Sequence, residues 1–73
     1  MEQRKRRFQV ASSVRAELER QHVSPEALAD AAGMDLSDLD NRLTGDIAFD
    51  VEELEAIARA LGVAVDSLLS DGT

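Results

Sequence analysis

The chain has 73 residues, 44% of them hydrophobic and 32% charged, which fits one small globular domain. It has no cysteine, one histidine and two aromatic residues, which excludes disulfides, thiolate metal sites and an aromatic platform for single-stranded nucleic acid. No apolar run reaches the ~18 residues of a membrane span, and no apolar core follows the basic start as in a secretion signal. We therefore expect a cytoplasmic binding module without a metal, a cofactor, a membrane partner or enzymatic activity.

Charge is distributed unevenly along the sequence. The net charge is −7, but residues 1–7 carry +3 and residues 8–73 carry −10. The positive part contains four consecutive basic residues, Arg4, Lys5, Arg6 and Arg7. We therefore divide the chain into a basic N-terminal arm over residues 1–7 and a helix-turn-helix domain over residues 8–73. A basic arm beside an acidic body suggests contact with a polyanion, and a solvated tail is the alternative.

Apolar residues recur at helical spacing in five short segments, which predicts five helices. No segment alternates between apolar and polar residues over enough positions to predict a strand. The predicted helices cover residues 8–21, 25–32, 36–44, 51–61 and 65–69. In the first, Val10, Val14 and Leu18 form one apolar stripe at four-residue spacing. Phe49 is expected to fill the core between the third and fourth helices, and Phe8 to do so beneath the first. The predicted fold class is all-α.

Residues that start and stop helices support these boundaries. Ser24 can cap the second helix, and Gly33 can end it in the left-handed conformation. Asp35 is expected to cap the third helix. Asp50 and Glu53 have the spacing of a reciprocal capping box at the start of the fourth helix.

The segment from Pro25 to Leu43 has the spacing of a helix-turn-helix unit. Ala29 is small where a second helix would cross closely, and Gly33 stands where the chain must turn sharply. Leu39 follows six residues later, where it can pack back against the first helix of the unit. Two helices joined by a turn of three or four residues that contains glycine define this motif.

Two stretches, SPEALADAAGMDLSDLDNRLTG and VEELEAIARALGVAVDSLL, resemble the Cro/repressor (lambda-repressor-like) helix-turn-helix family. The likeness is strongest to small regulators of actinobacteria and their phages, and it covers roughly Val10 to Leu69. The resemblance implies a compact five-helix domain whose third helix is the recognition helix. It also implies a repressor or regulator that binds double-stranded operator DNA as a homodimer.

The third helix supplies the expected contacts to bases. Its apolar side carries Leu39 and Leu43, so the opposite side would face DNA. Asn41 has the amide needed for a two-bond contact to adenine, and Ser37 can meet any base. Together with the arm, the predicted DNA-binding residues are Ser37, Asp38, Asn41, Arg42 and Thr44.

Several of these residues have a second interpretation. Arg42 could contact guanine or a phosphate, or instead form a surface ion pair with Asp38 or Asp46. Asp38 could accept from the amino group of cytosine, whereas Asp38 and Asp40 could simply favour the positive end of the helix dipole. Because the third helix is acidic, an alternative function is a protein-interaction module that binds a basic protein surface and inhibits or recruits a regulator.

The C-terminal part is more apolar than a five-residue helix needs. Apolar surface that the core does not bury often forms an interface with another protein, which predicts a weak or DNA-assisted homodimer there. The alternative is that these side chains close the core of a single protomer. The residues concerned are Val63, Val65, Leu68 and Leu69.

Overall fold

A computed structural model describes the backbone of residues 2–69 and the side chains of residues 8–69. This part of the chain contains five helices and no strand, so the predicted all-α fold is confirmed. The helices are α1 (Glu2–Gln21), α2 (Pro25–Ala32), α3 (Leu36–Leu43), α4 (Val51–Leu61) and α5 (Val65–Leu69). None of the described helices is long and apolar enough to cross a membrane.

The first helix begins earlier than predicted. It starts at Glu2 rather than near Phe8 and has 20 residues, or about 30 Å at the usual helical rise. Residues 2–7 contain no glycine, proline or β-branched residue, and Glu, Gln, Arg and Lys are good helix formers. Nothing in the sequence therefore prevents α1 from extending through the basic segment, residues 4–7, which was predicted as an arm outside the helix. The side chains of Arg4, Lys5, Arg6 and Arg7 lie outside the described part of the structure.

The core lies among the five helices, where α2 packs against α3 and α4, α1 packs against α3 and α5, and α4 packs against α5. Its members are the expected apolar residues of each helix, with Leu39 and Ile57 completely buried. Phe49 packs against this core, as predicted. Phe8 does not enter it, because its side chain is 50% exposed and its ring covers the backbone at Gly45. Gly45 has a φ of +87° and no side chain, which leaves room for that ring.

Three helices end on a residue in the left-handed conformation, with the paired hydrogen bonds of the Schellman motif. Gly33 and Gly62 end α2 and α4, as the sequence predicts. His22 ends α1 in the same way, with a φ of 58°. Its amide donates to the carbonyl of Glu19 at 3.2 Å, and the next amide donates to the carbonyl of Leu18 at 2.9 Å. An imidazole side chain thus occupies a position at which glycine is usual.

Replacing His22 with glycine is expected to stabilise the domain by about 1 kcal/mol, because a side chain costs roughly 1–2 kcal/mol in the left-handed region. Urea unfolding should show the gain as a higher midpoint concentration, with an unchanged slope of the unfolding free energy against urea. Gly62→Ala is the control, since a β-carbon added there meets no atom of a residue distant in the chain within 4 Å, and it should lower the free energy of unfolding by a similar amount. Equal stability of the parent and H22G would show that His22 is not strained.

The C-terminal residues expected at a dimer interface are mostly engaged within the protomer. Leu68 is completely buried, and Val63 and Val65 are partly buried against the core. Leu69 is 51% exposed. Of these four side chains, Leu69 is the one that offers substantial apolar surface.

Candidate nucleic-acid interface

Helices α2 and α3 form the predicted helix-turn-helix unit. A turn of three residues, 33–35, joins them, and Gly33 has a φ of 72°. The Ser24 hydroxyl accepts a hydrogen bond from the amide of Ala27 at 3.1 Å, which confirms it as the cap of α2. Ala29 and Leu39 are both buried, at 3% and 0% exposure. Small and branched side chains at these positions therefore hold the two helices together.

The outward side of α3 is polar. Since Leu39 and Leu43 are buried, the opposite side of this two-turn helix faces solvent. Its exposed residues are Ser37, Asp38, Asp40, Asn41 and Thr44. This is the surface that the sequence predicts, and we call it the α3 outer face.

Two residues of the helix termini differ from their expected roles. The Thr44 hydroxyl donates to the carbonyl of Asn41 at 3.0 Å and accepts from the amide of Asp46 at 3.4 Å, so it closes the end of α3. Asp35 stands at the N-cap, but its side chain accepts no capping hydrogen bond, contrary to the prediction. Asp35 is exposed, and water can solvate its carboxylate instead.

Arg42 is turned away from the centre of the α3 outer face. Its Nε donates to Oε1 of Glu53 at 2.9 Å, and its Nη1 donates to the main-chain carbonyl of Asp38 at 3.0 Å. Of its side chain, 17% is exposed. The expected ion pair is therefore present, but the partner is Glu53 on α4 rather than the carboxylate of Asp38 or Asp46. The prediction of the partner was wrong because Glu53 comes close to Arg42 only when α3 and α4 both pack against α2.

Two arginines of α1 also bind groups of the protein itself. Nη1 of Arg15 donates to the carbonyl of Leu43, the last residue of α3. Arg20 pairs with Glu17 at 2.7 Å on the surface of α1. Hydrogen bonds from Arg20 and Gln21 hold the pKa of Glu17 below its ordinary value. Of the four arginines in residues 8–69, three are thus engaged within the fold, and Arg59 is exposed on α4.

Comparison with known proteins supports the same motif. The chain matches the BetR domain over residues 7–73, which is nearly its full length. The chain belongs to the BetR domain family. This family consists of helix-turn-helix DNA-binding domains, so DNA is the partner that family membership indicates. No curated protein and no solved structure gives a significant match.

The surface beside α3 of this BetR domain is acidic. An open groove of about 410 Å³ lies between the helix-turn-helix turn and the start of α4. Five carboxylates line it, from Asp35, Asp38, Asp50, Glu52 and Glu53. No described group of histidine, aspartate and glutamate side chains is arranged to hold a metal ion. The described surface around α3 therefore offers DNA polar groups but little positive charge, and it repels phosphates.

Sequence reasoning missed two residues that bind α3 from other helices. Arg15 binds the carboxyl end of α3, and Glu53 binds its side through Arg42. Glu53 was recognised as a capping residue, and it does form that capping box with Asp50. Its second role has no local sequence signal, because the pair joins residues 11 positions apart on two helices.

Proposed function

We propose that this BetR domain is a sequence-specific transcriptional regulator of the Cro/repressor type, with α3 in the major groove of double-stranded operator DNA. The observation that carries the proposal is the α3 outer face, in which Ser37 and Asn41 are exposed one turn apart and directly opposite the buried side of the helix. Side chains one turn apart on a helix in the groove can meet neighbouring base pairs.

The individual roles follow from side-chain chemistry. The carboxamide of Asn41 has the donor and acceptor that match the edge of adenine, and the Ser37 hydroxyl can donate to or accept from any base. Asp38 accepts from the amino group of cytosine, which is the one base contact that offsets its repulsion by phosphates. Arg4 to Arg7 neutralise phosphates, since most arginines of residues 8–69 are engaged elsewhere.

A mobility-shift assay tests the proposal. The DNA flanking the gene of this protein and an unrelated fragment of equal length are compared between about 50 and 200 mM salt, where phosphate contacts weaken steeply. Tighter binding to the flanking DNA at every salt concentration is expected. Equal binding to both fragments would limit the domain to nonspecific attachment, and no binding at about 50 mM salt would refute the proposal.

We further propose that the protein binds its operator as a homodimer, because a two-fold protein matches two half-sites one helical turn apart. Leu69 supplies exposed apolar surface at the end of α5. Leu69→Ser is expected to weaken self-association measurably in sedimentation equilibrium, while Val51→Ser, at an exposed apolar residue on α4, leaves it unchanged. A monomer at high concentration, together with one protomer per bound DNA, would contradict the dimer.

A second function is favoured by the acidic groove and by the engaged arginines. In it, the helix-turn-helix unit is a scaffold whose acidic side binds a basic protein surface and so inhibits or recruits a regulator. The two functions differ in one observable, since the scaffold binds a basic protein and has little affinity for DNA. A pull-down and a shift assay on the same preparation separate them.

A further inference from the structure

We infer that Arg42 is a positioning residue of the recognition helix and does not contact DNA. Its ion pair with Glu53 sets the rotation of α3 about its own axis and thereby the direction of Ser37 and Asn41. This inference rests on the proposed function, in which the α3 outer face enters the major groove.

The geometry joins two helices through one carboxylate oxygen. Oε1 of Glu53 accepts from Nε of Arg42 at 2.9 Å and from the amide of Asp50 at 3.0 Å. The carboxylate of Asp50 in turn accepts from the amide of Glu53 at 2.7 Å. A side chain of α3 is therefore connected directly to the first turn of α4, whose own backbone is fixed by the capping box.

The pair connects α3 to a helix against which its backbone packs little. Helix α3 packs on α1 and α2 through its two buried side chains, Leu39 and Leu43, whereas α4 packs mainly on α2 and α5. Arg15 of α1 holds the carboxyl end of α3. Arg42 acts from the side of the helix. Because the side chains of Arg42 and Glu53 are only 17% and 20% exposed, salt screens their attraction less than that of a surface pair.

The same contacts leave Arg42 poorly placed to neutralise a phosphate. Its Nε and Nη1 already donate within the protein, and a move to DNA would leave the carboxylate of Glu53 partly buried without its partner. Recognition requires side chains held within about 0.5 Å and 10–20° of the productive geometry. Loss of the pair should therefore lower discrimination between DNA sequences and spare nonspecific affinity.

Two variants distinguish positioning from contact because the two roles predict opposite results. Arg42→Met removes the charge and keeps a long side chain, and Glu53→Ala removes the partner. A positioning role predicts that each lowers the ratio of operator to unrelated affinity about tenfold, comparable to one good base contact, with an unchanged salt slope. The double variant should be no worse than either single one, because both remove the same interaction.

A DNA contact by Arg42 would give a different pattern and overturn the inference. Arg42→Met would then weaken binding to both DNAs and reduce the salt slope by about 0.9, while Glu53→Ala would free the arginine and tighten binding. Asp50→Ala is the matched control, since it removes the carboxylate that caps the same helix end and leaves both side chains of the pair in place. If E53A unfolds, Glu53→Gln replaces it, because the amide oxygen still accepts from Asp50 and the charge is lost.

Hydrogen exchange keeps the test decisive even if the parent protein binds no DNA and the proposed function fails. The amides of Leu39 to Leu43 should exchange faster in R42M and E53A than in the Asp50→Ala control. The comparison is made under conditions in which the three variants have the same free energy of global unfolding. Equal exchange in all three variants would show that the pair does not restrain α3, and the inference would fall independently of the DNA result.

Discussion

Replacing Arg4, Lys5, Arg6 and Arg7 with glutamine is expected to remove most of the affinity for DNA. Residues 8–73 carry a charge of −10, and three of the arginines described there bind the protein itself. Four lost phosphate contacts lower the slope of log affinity against log salt by up to about 3.6 and the affinity near 0.1 M salt by up to roughly a thousandfold. Glutamine retains the helix propensity of this part of α1. Mobility-shift assays over a salt series measure both quantities.

The control for the fourfold variant of residues 4–7 is Arg20→Gln, which removes one positive charge from the same helix. Arg20 is paired with Glu17, so its loss should change the slope little. A fourfold variant that retains the affinity and slope of the parent would show that the basic segment is only a solvated terminus of α1.

The double variant Asp38→Asn, Asp40→Asn is expected to bind unrelated DNA roughly three- to tenfold more tightly, because two negative charges leave the surface that faces phosphates. Asparagine keeps the size of aspartate. Discrimination should stay equal or fall, and it falls if Asp38 reads a cytosine, since one base contact is worth ~1–3 kcal/mol. Shift assays with operator and unrelated DNA measure the two effects separately.

A matched control removes two charges elsewhere. Glu55 and Asp66 are exposed on α4 and α5, and their replacement by Gln and Asn gives the same net charge. If the control tightens binding as much as the α3 variant, the effect reflects net charge and the α3 outer face is not the DNA-binding surface. If instead neither protein binds DNA and the α3 variant loses a basic protein partner, the interaction function is correct.

The features predicted correctly from the sequence depend on neighbouring residues. The ends of α2 and α4 at Gly33 and Gly62 follow from left-handed caps, and the capping box of Asp50 and Glu53 spans three positions. The three-residue turn and the α3 outer face follow from helical periodicity once the two helices are placed. Local chemistry therefore suffices for the helix-turn-helix unit.

The features that sequence reasoning missed depend on how the helices pack against one another, or lie where no capping residue marks a helix end. Arg42 and Glu53 meet across two helices, and Arg15 reaches a carbonyl 28 positions away, so neither contact follows from helical spacing. The early start of α1 has no capping residue to mark it, and propensity alone extends the helix to Glu2. The burial of Leu68 depends on how α5 packs against α1 and α4, which its five residues do not specify.

The most direct test of the central claim, that the α3 outer face of this BetR domain is the DNA-binding surface, is an NMR titration of the ¹⁵N-labelled protein. The DNA flanking its gene is added stepwise at low salt, where binding is tightest. The claim predicts the largest amide shifts at Ser37 to Asn41 and in the basic segment of α1, with small shifts in α4, which carries neither the α3 outer face nor the proposed dimer contact at Leu69. Shifts concentrated on α4, or no shift at saturating DNA, would contradict it.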